Sequence, residues 1–258
     1  MNYLVCVKQV PDDSVLVTLD ADGSPDLQSI DLTVNAFDTY ALEMITRVRE
    51  KQGEGEITVL TVGGETAVSA LRSCLSVGAD KAARVWNAAC EHTNAKAMSE
   101  ILYQTISKQL EDGRKFDAIL CGLESTDTMS GQVGARLAEK LGYALVTGAV
   151  SMEAFEDGFK VEQETENGSR VLKVERPCVI TVSKPNYDPR YPTLKSKMAA
   201  RKMPIEDWTL DSYQVTENAA ARSFEVLPQK EGGQKIMEED VACSVQKAIA
   251  IMVEDKVL

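Results

Sequence analysis

FDAILCGLESTDTMSGQVGARLAEKLG, residues Phe116 to Gly142, reads as three pieces joined end to end. Phe116, Ala118, Ile119, Leu120 and Cys121 make an apolar run with the length and continuity of a strand buried on both faces. At Gly122 the run breaks into Leu123 and the small polar residues Glu124, Ser125, Thr126, Asp127, Thr128, Ser130 and Gly131. From Gln132 the period turns helical, with Val133, Leu137 and Leu141 on one side and Gly142 as the stop. A glycine-bounded polar loop between a buried strand and a helix start is where an open α/β sheet binds ligands. The free N–H groups of the new helix favour an anion such as a phosphate. The stretch alone leaves two readings: a ligand loop, or an ordinary βα turn with a hydroxyl-rich helix cap.

Working outward, the preceding residues repeat the same rhythm. Residues 3–7 (YLVCV) form a buried strand closed by Lys8, Gln9 and Pro11-Asp12-Asp13, and an irregular segment with turns at Asp22-Gly23 and Ser24-Pro25 runs to Thr33. Asn35 stands where a helix cap belongs, and Ala41, Leu42, Ile45 and Val48 give the next helix one apolar face. Ile57–Val62 is a second strand, Val68, Leu71 and Leu75 mark a helix, and Ala83–Trp86 is a third strand. Met98, Ile101, Leu102, Ile106 and Leu110 follow at helical spacing. This alternation predicts an α/β fold, a parallel sheet with helices on both faces. The loops Lys8–Asp13, Val62–Glu65 and Gly122–Gln132 should fall along one edge of it.

After Gly142 the rhythm changes. Leu145–Phe155, Phe159–Gln163, Arg170–Glu175 and Cys178–Val182 are short strands separated by Asp157-Gly158, Asn167-Gly168 and Arg176-Pro177, which predicts an attached antiparallel meander. From Lys184 the chain carries Pro185, Pro189, Pro192 and Pro204, the cations Lys195, Lys197, Arg201 and Lys202, and a polar run from Asp211 to Gln234. A last amphipathic helix has Val241, Val245, Ala248, Ile249, Met252 and Val253 on one face. The division is therefore 1–184 for the α/β domain and 185–258 for an extended C-terminal arm, with a helical subdomain as the alternative.

Composition excludes several classes. The net charge of −12 argues against a general affinity for nucleic acid or anionic membrane. No apolar run approaches the roughly 20 residues that span a bilayer, and the N-terminus lacks a signal peptide's charged start and cleavage site. The cysteines at 6, 74, 90, 121, 178 and 243 form no C-x-x-C pair and suit a reducing cytoplasm. His92, the single histidine, has no partner at triad or metal-ligand spacing and reads as a loop residue. There is no G-x-G-x-x-G after the first strand, no Walker A loop, no H-E-x-x-H and no nucleophile elbow. By elimination the chain is a binding protein for a nucleotide-like ligand, with no catalytic and no metal residues.

Six stretches in order carry a resemblance: VCVKQVPD (Val5–Asp12), VNAFDTYALE (Val34–Glu43), VLTVGG (Val59–Gly64) with GADKAARVW (Gly78–Trp86), CGLESTDTMSGQVGARLAEKLG (Cys121–Gly142), RVLKVERPCVITV (Arg170–Val182) and PRYPTLKSKMAARKMPIE (Pro189–Glu206). The chain resembles the beta subunit of electron transfer flavoproteins. The resemblance implies a Rossmann-like, three-layer, adenine-nucleotide-binding sandwich that pairs with an alpha subunit carrying FAD. It implies AMP in the sheet-edge loops, or a second FAD in electron-bifurcating members. Carried over, the pocket uses Cys6, Asn35, Ala36, Phe37, Asp38, Val62, Gly122, Leu123, Glu124, Ser125, Thr126, Asp127, Thr128, Met129, Ser130, Gly131, Gln132 and Val133. Phosphate would lie against the helix starting near Gly131, with the Thr128 or Ser130 hydroxyl. Residues 189–206 would be a recognition segment that presents Leu194 to a flavin-dependent dehydrogenase. Two positions depart from the family pattern: Ala36 replaces a proline, and Met129 replaces an acidic residue. The competing class is a stand-alone adenine-nucleotide sensor of the universal-stress type, which would end soon after its sheet. A nucleotide hydrolase lacks a nucleophile or metal cluster.

Overall fold

The computed structural model describes residues 1–12, 14–27, 30–90, 93–215, 224–226, 232–238 and 240–257; His92 and parts of the polar run 211–234 lie outside them. In chain order the elements are β1 (Asn2–Cys6), β2 (Gln9–Pro11), β3 (Leu32–Val34), α1 (Ala36–Gln52), β4 (Glu56–Val62), α2 (Val68–Val77), β5 (Lys81–Val85), α3 (Ala95–Glu111) and β6 (Ala118–Gly122). They continue with α4 (Val133–Leu141), β7 (Ala144–Phe155), β8 (Gly158–Thr165), β9 (Gly168–Glu175), β10 (Cys178–Val182), α5 (Leu194–Lys202), β11 (Ile205–Asp207) and α6 (Val241–Glu254). Residues 1–223 form one compact unit and residues 224–258 a second.

Among the described residues, nine strands of the first unit hydrogen-bond in the order β11-β5-β4-β1-β6-β10-β7-β8-β9, and β2 and β3 form a separate antiparallel pair. Every pair from β11 to β7 is parallel. The pairs β7·β8 and β8·β9 are antiparallel. From β1 the chain winds outward through β4 and β5, then returns to the other side of β1 as β6. The order thus reverses between β1 and β6, and the carboxyl ends of those two strands flank a crevice.

Strand periodicity sends alternate residues to opposite helix layers. Tyr3 and Val5 pack with Leu42, Ile45 and Leu71 from α1 and α2. Leu4, Cys6, Ile119 and Cys121 pack with Ile101, Ile106 and Leu137 from α3 and α4. Each fully buried Leu or Ile contributes about 1.5–3 kcal/mol relative to exposure. Gly53 ends α1 in the left-handed conformation (φ 78°), its N–H donating to the Arg49 carbonyl at 2.9 Å.

One strand departs from the sequence reading. Cys178–Val182 is not part of an antiparallel meander: β10 lies parallel between β6 and β7. All five of its residues are buried, as an uninterrupted apolar run requires when both faces are covered. The two hairpins that do form turn at Asp157-Gly158 and Asn167-Gly168. Beyond residue 184, β11 pairs with β5 at the sheet edge, and Trp208 and Tyr213 join the α3 side of the core. In the second unit α6 is capped by Asp240, whose carboxylate accepts from the Cys243 N–H at 2.8 Å, and none of its residues is buried.

Candidate functional site

The crevice between β1 and β6 is held open by two side chains at the start of α1. Asp38 is 6% exposed. One carboxylate oxygen accepts the Lys8 N–H at 2.7 Å, just past β1, and the other accepts the Gly122 N–H at 2.9 Å, at the end of β6. Burial pushes this carboxyl up to about 7, against the pull of those two N–H groups, Asn35 and the Lys8 charge. Gly122 is required here: a Cβ would stand 2.5 Å from Asp38 Oδ1 and 2.7 Å from Phe37 Cβ.

Asn35 occupies the N-cap position of α1, yet its side chain makes no cap hydrogen bond. It turns to the loop after β6, where Nδ2 donates to the Glu124 carbonyl at 2.8 Å and Oδ1 accepts the Thr126 N–H at 3.1 Å. The loop closes on itself through Ser125 Oγ and Thr128 Oγ1 at 2.8 Å and the Met129 N–H to the Ser125 carbonyl at 2.8 Å. Across the mouth, Lys8 Nζ reaches Asp127 Oδ2 at 2.6 Å.

These braces frame a cavity of about 740 Å³, within the size range of small-molecule and cofactor sites. From the sequence-derived set, Cys6, Asn35, Asp38, Val62, Gly122–Ser125, Asp127, Thr128 and Ser130–Val133 line it. Ala36, Phe37, Thr126 and Met129 do not. Phe37 packs edge-on against Tyr40 with ring centroids 6.5 Å apart. Thr126 is tied to Asn35, and Met129 points outward, 70% exposed, from a backbone at φ 45°.

The wall also holds residues that the sequence reading left out. Lys8, Cys121, Gly134 and Arg136 belong to segments already under suspicion. Thr93 and Asn94 lead into α3, whose Ala95, Lys96, Met98 and Leu102 cover the same strand ends. No local signal marks α3 as a neighbour, because its position depends on the crossover of the whole β5–α3–β6 unit. At the floor, Cys6 and Cys121 are paired in register on β1 and β6. A hydrogen bond with Cys6, together with burial, holds the Cys121 thiol well above the usual thiol range.

Chemically the cavity offers an apolar wall of Leu60, Val62, Met98 and Leu102, and a polar end where α4 begins. No side chain caps the first turn of α4. Its leading N–H groups are therefore free to meet an anion, with Lys96 and Arg136 as cations in the wall and Lys8 there already paired with Asp127. Gly134 in that first turn lets the helix approach the sheet, since a Cβ there would come within 2.4 Å of Thr181 Cγ2. A donor set of uncapped N–H groups, hydroxyls and cations beside an apolar slot fits an anionic ligand with an apolar portion. Among the described residues no group of three or more His, Cys, Asp or Glu could hold a metal ion. Among them, too, no helix is long and apolar enough to cross a membrane.

A doubly wound sheet with a cofactor-sized cavity at its switch point places the chain among the Rossmann-like, three-layer α/β proteins. The family model for the electron transfer flavoprotein domain matches residues 26–213. Electron transfer flavoprotein subunit beta of Bacillus subtilis is 29% identical over 258 residues, covering 98% of this chain and 97% of the relative. The protein of the same name from Thermoanaerobacterium thermosaccharolyticum is 34% identical over 225 residues, 84% of this chain and 82% of its own. The caffeyl-CoA reductase-Etf complex subunit CarD of Acetobacterium woodii is 30% identical over 245 residues, 92% of each chain. The chain belongs to the electron transfer flavoprotein family, among its beta subunits. That membership carries a role in electron transfer and removes the stand-alone stress-sensor alternative.

Proposed function

We propose that this chain is the nucleotide-holding subunit of a two-subunit electron carrier. It pairs with an alpha subunit that carries the redox-active FAD, and it holds AMP in the cavity between β1 and β6. On this reading residues 1–184 hold the nucleotide and residues 185–258 serve the partners. The observation that carries it is the crevice at the sheet's switch point, braced by Asp38 and Asn35 and ending on the uncapped start of α4.

The FAD of the companion subunit supplies the electron chemistry when bound. This chain's residues bind and position. Leu60, Val62, Met98 and Leu102 would take the adenosine, while the first turn of α4, Thr128 and Ser130 would hold the phosphate. Asn35 and Asp38 keep the loop and the strand ends in place, their side chains already committed to hydrogen bonds within the chain.

A second reading, a second FAD in place of AMP, is favoured by one observation. The cavity extends past the strand-end loops to Thr93–Lys96, where the chain enters α3 and a second phosphate could meet Lys96.

The partner-facing part centres on α5. Leu194 is 78% exposed at its first residue, and Lys195, Lys197, Arg201 and Lys202 follow it along the same helix on a chain of net charge −12. An apolar anchor at the head of a cationic helix suits an apolar pocket with carboxylates beside it. The dehydrogenase that supplies the electrons would present such a pocket, and the name of the Acetobacterium relative, a caffeyl-CoA reductase complex subunit, supports a partner working on CoA esters. Buried free thiols at Cys6, Cys74, Cys90, Cys121 and Cys178 support a reducing compartment, the cytoplasm.

The test is to denature the purified heterodimer and quantify released AMP and FAD by chromatography. One of each is expected; two FAD would establish the second reading. Gly131→Asp should abolish the AMP and leave the companion's FAD. At this position the nearest atom to a Cβ is 3.7 Å away, so the new carboxylate has room and would repel a phosphate, although φ +59° is a conformation that aspartate adopts only at some cost. Wild-type AMP content in that variant would show that the loop is only a helix cap.

A further inference from the structure

Both ends of α5 are tied down by arginines, and neither tie belongs to α5 itself. Ahead of the helix, Arg190 lies between Pro189 and Tyr191. Its Nε donates to Glu43 Oε2 at 2.8 Å, and Nη1 and Nη2 donate to the two oxygens of Glu50 at 2.6 and 3.0 Å. Even its backbone N–H points at Glu43 Oε2, 3.3 Å away. Glu43 is 2% exposed and is held from the other side by Arg47 Nε at 2.6 Å. The Arg47 guanidinium lies 3.9 Å from the centre of the Tyr187 ring, so the chain is fastened to α1 on either side of Pro189. At the far end, Arg72 of α2 donates to the carbonyls of Ala200 and Met203. Thr193 and Ser196 close a reciprocal capping box between the two ties.

What this fastening leaves free is specific. Tyr191 is 90% exposed, Leu194 78% and Met198 57%. Leu194 and Met198 stand four residues apart on one side of α5. Large apolar side chains on a rigid, doubly anchored support lose less entropy on docking than the same side chains on a loose loop.

We propose that Arg190 is a positioning residue for partner docking: its fork on Glu43 and Glu50 fixes α5 so that Leu194 is presented in a docking-ready position. The proposal rests on the reading of Leu194 as the anchor. Lysine cannot replace the fork, because one ammonium cannot bind both carboxylates bidentately.

The experiment uses the intact heterodimer with an acyl-CoA dehydrogenase with which the wild type turns over. Arg190→Ala, Arg190→Lys, Leu194→Ala and the double variant R190A/L194A are compared. Arg190→Ala should raise the KM for the carrier about tenfold, an effect of the size of losing one anchor contact. Its kcat and cofactor content should stay at wild-type values, and amide exchange should accelerate within 187–202 alone. Arg190→Lys should recover part of the KM. The double variant should be no worse than Leu194→Ala. Additive effects of the two substitutions, or an unchanged KM in Arg190→Ala, would overturn the proposal, as would accelerated exchange across the whole sheet. If Leu194→Ala itself leaves KM unchanged, the anchor reading fails, and the exchange data still decide whether Arg190 holds α5.

Discussion

Asp38 holds two strand ends with one carboxylate, and that arrangement has a signature in pH. Its folded-state value of about 7 lies above the ordinary 3.8, so the folded chain keeps a proton that the unfolded chain has lost. The stability linked to that proton is complete below about pH 3.8 and disappears as the pH rises through about 7, a span of at most roughly 4 kcal/mol. Asp38→Asn removes the titration, and it also sets an amide NH2 against one of the two backbone N–H groups, a loss of about 1–3 kcal/mol. Urea unfolding of both heterodimers at several pH values between 5 and 8 should therefore show the wild type's advantage shrinking as pH rises. A widening advantage would mean that the carboxylate, not the acid, is the form the fold prefers. Gly122→Ala tests the same junction by volume. The added methyl would push α1 off the end of β6 at a cost of about 1–3 kcal/mol, read as a lowered melting temperature of the heterodimer. Asn35 shows where sequence reasoning stops at this scale. Its place at the N-cap was legible from the helix that follows. The target of its side chain was not, because Glu124 and Thr126 lie about ninety residues further along the chain.

Elements were legible wherever one period ran long enough. The alternation of short apolar runs with helical stripes located β1, β4, β5 and β6 and the helices between them. Pairing direction was harder to read. CVITV looked like the return strand of a meander because a turn signal preceded it. Its continuous apolar character was the better guide, since only a strand covered on both faces needs that composition. Helix α3 illustrates a different gap: its apolar stripe was plain, but nothing local tells which strand end its first turn will overhang. For α6 the outstanding fact is a stripe of Val241, Val245, Ile249, Met252 and Val253, all exposed. Such a stripe needs a covering surface, and the proposed companion subunit supplies one. Deleting residues 241–258 should weaken the heterodimer at least tenfold, on the scale of losing one or two well-buried apolar anchors. Sedimentation over a dilution series reads this directly; an unchanged dissociation constant would show that α6 covers something else.

At the scale of the whole molecule, one helix serves both of the proposed sites. Asp38 in the first turn of α1 braces the cavity, and Glu43, five residues on, receives Arg190. With a rise of 1.5 Å per residue, those two attachment points lie about 7.5 Å apart along a single rigid axis. Six sequence blocks carry the resemblance to the family; none of them, taken singly, reveals that α1 joins two parts. The joint sets a rule for anyone building chimaeras in this family. A donor's residues 185–203 moved alone onto a foreign scaffold would bring the arginine and leave its acids behind. A graft that also carries the outer face of α1, with Glu43, Arg47 and Glu50, transplants the lock together with its key.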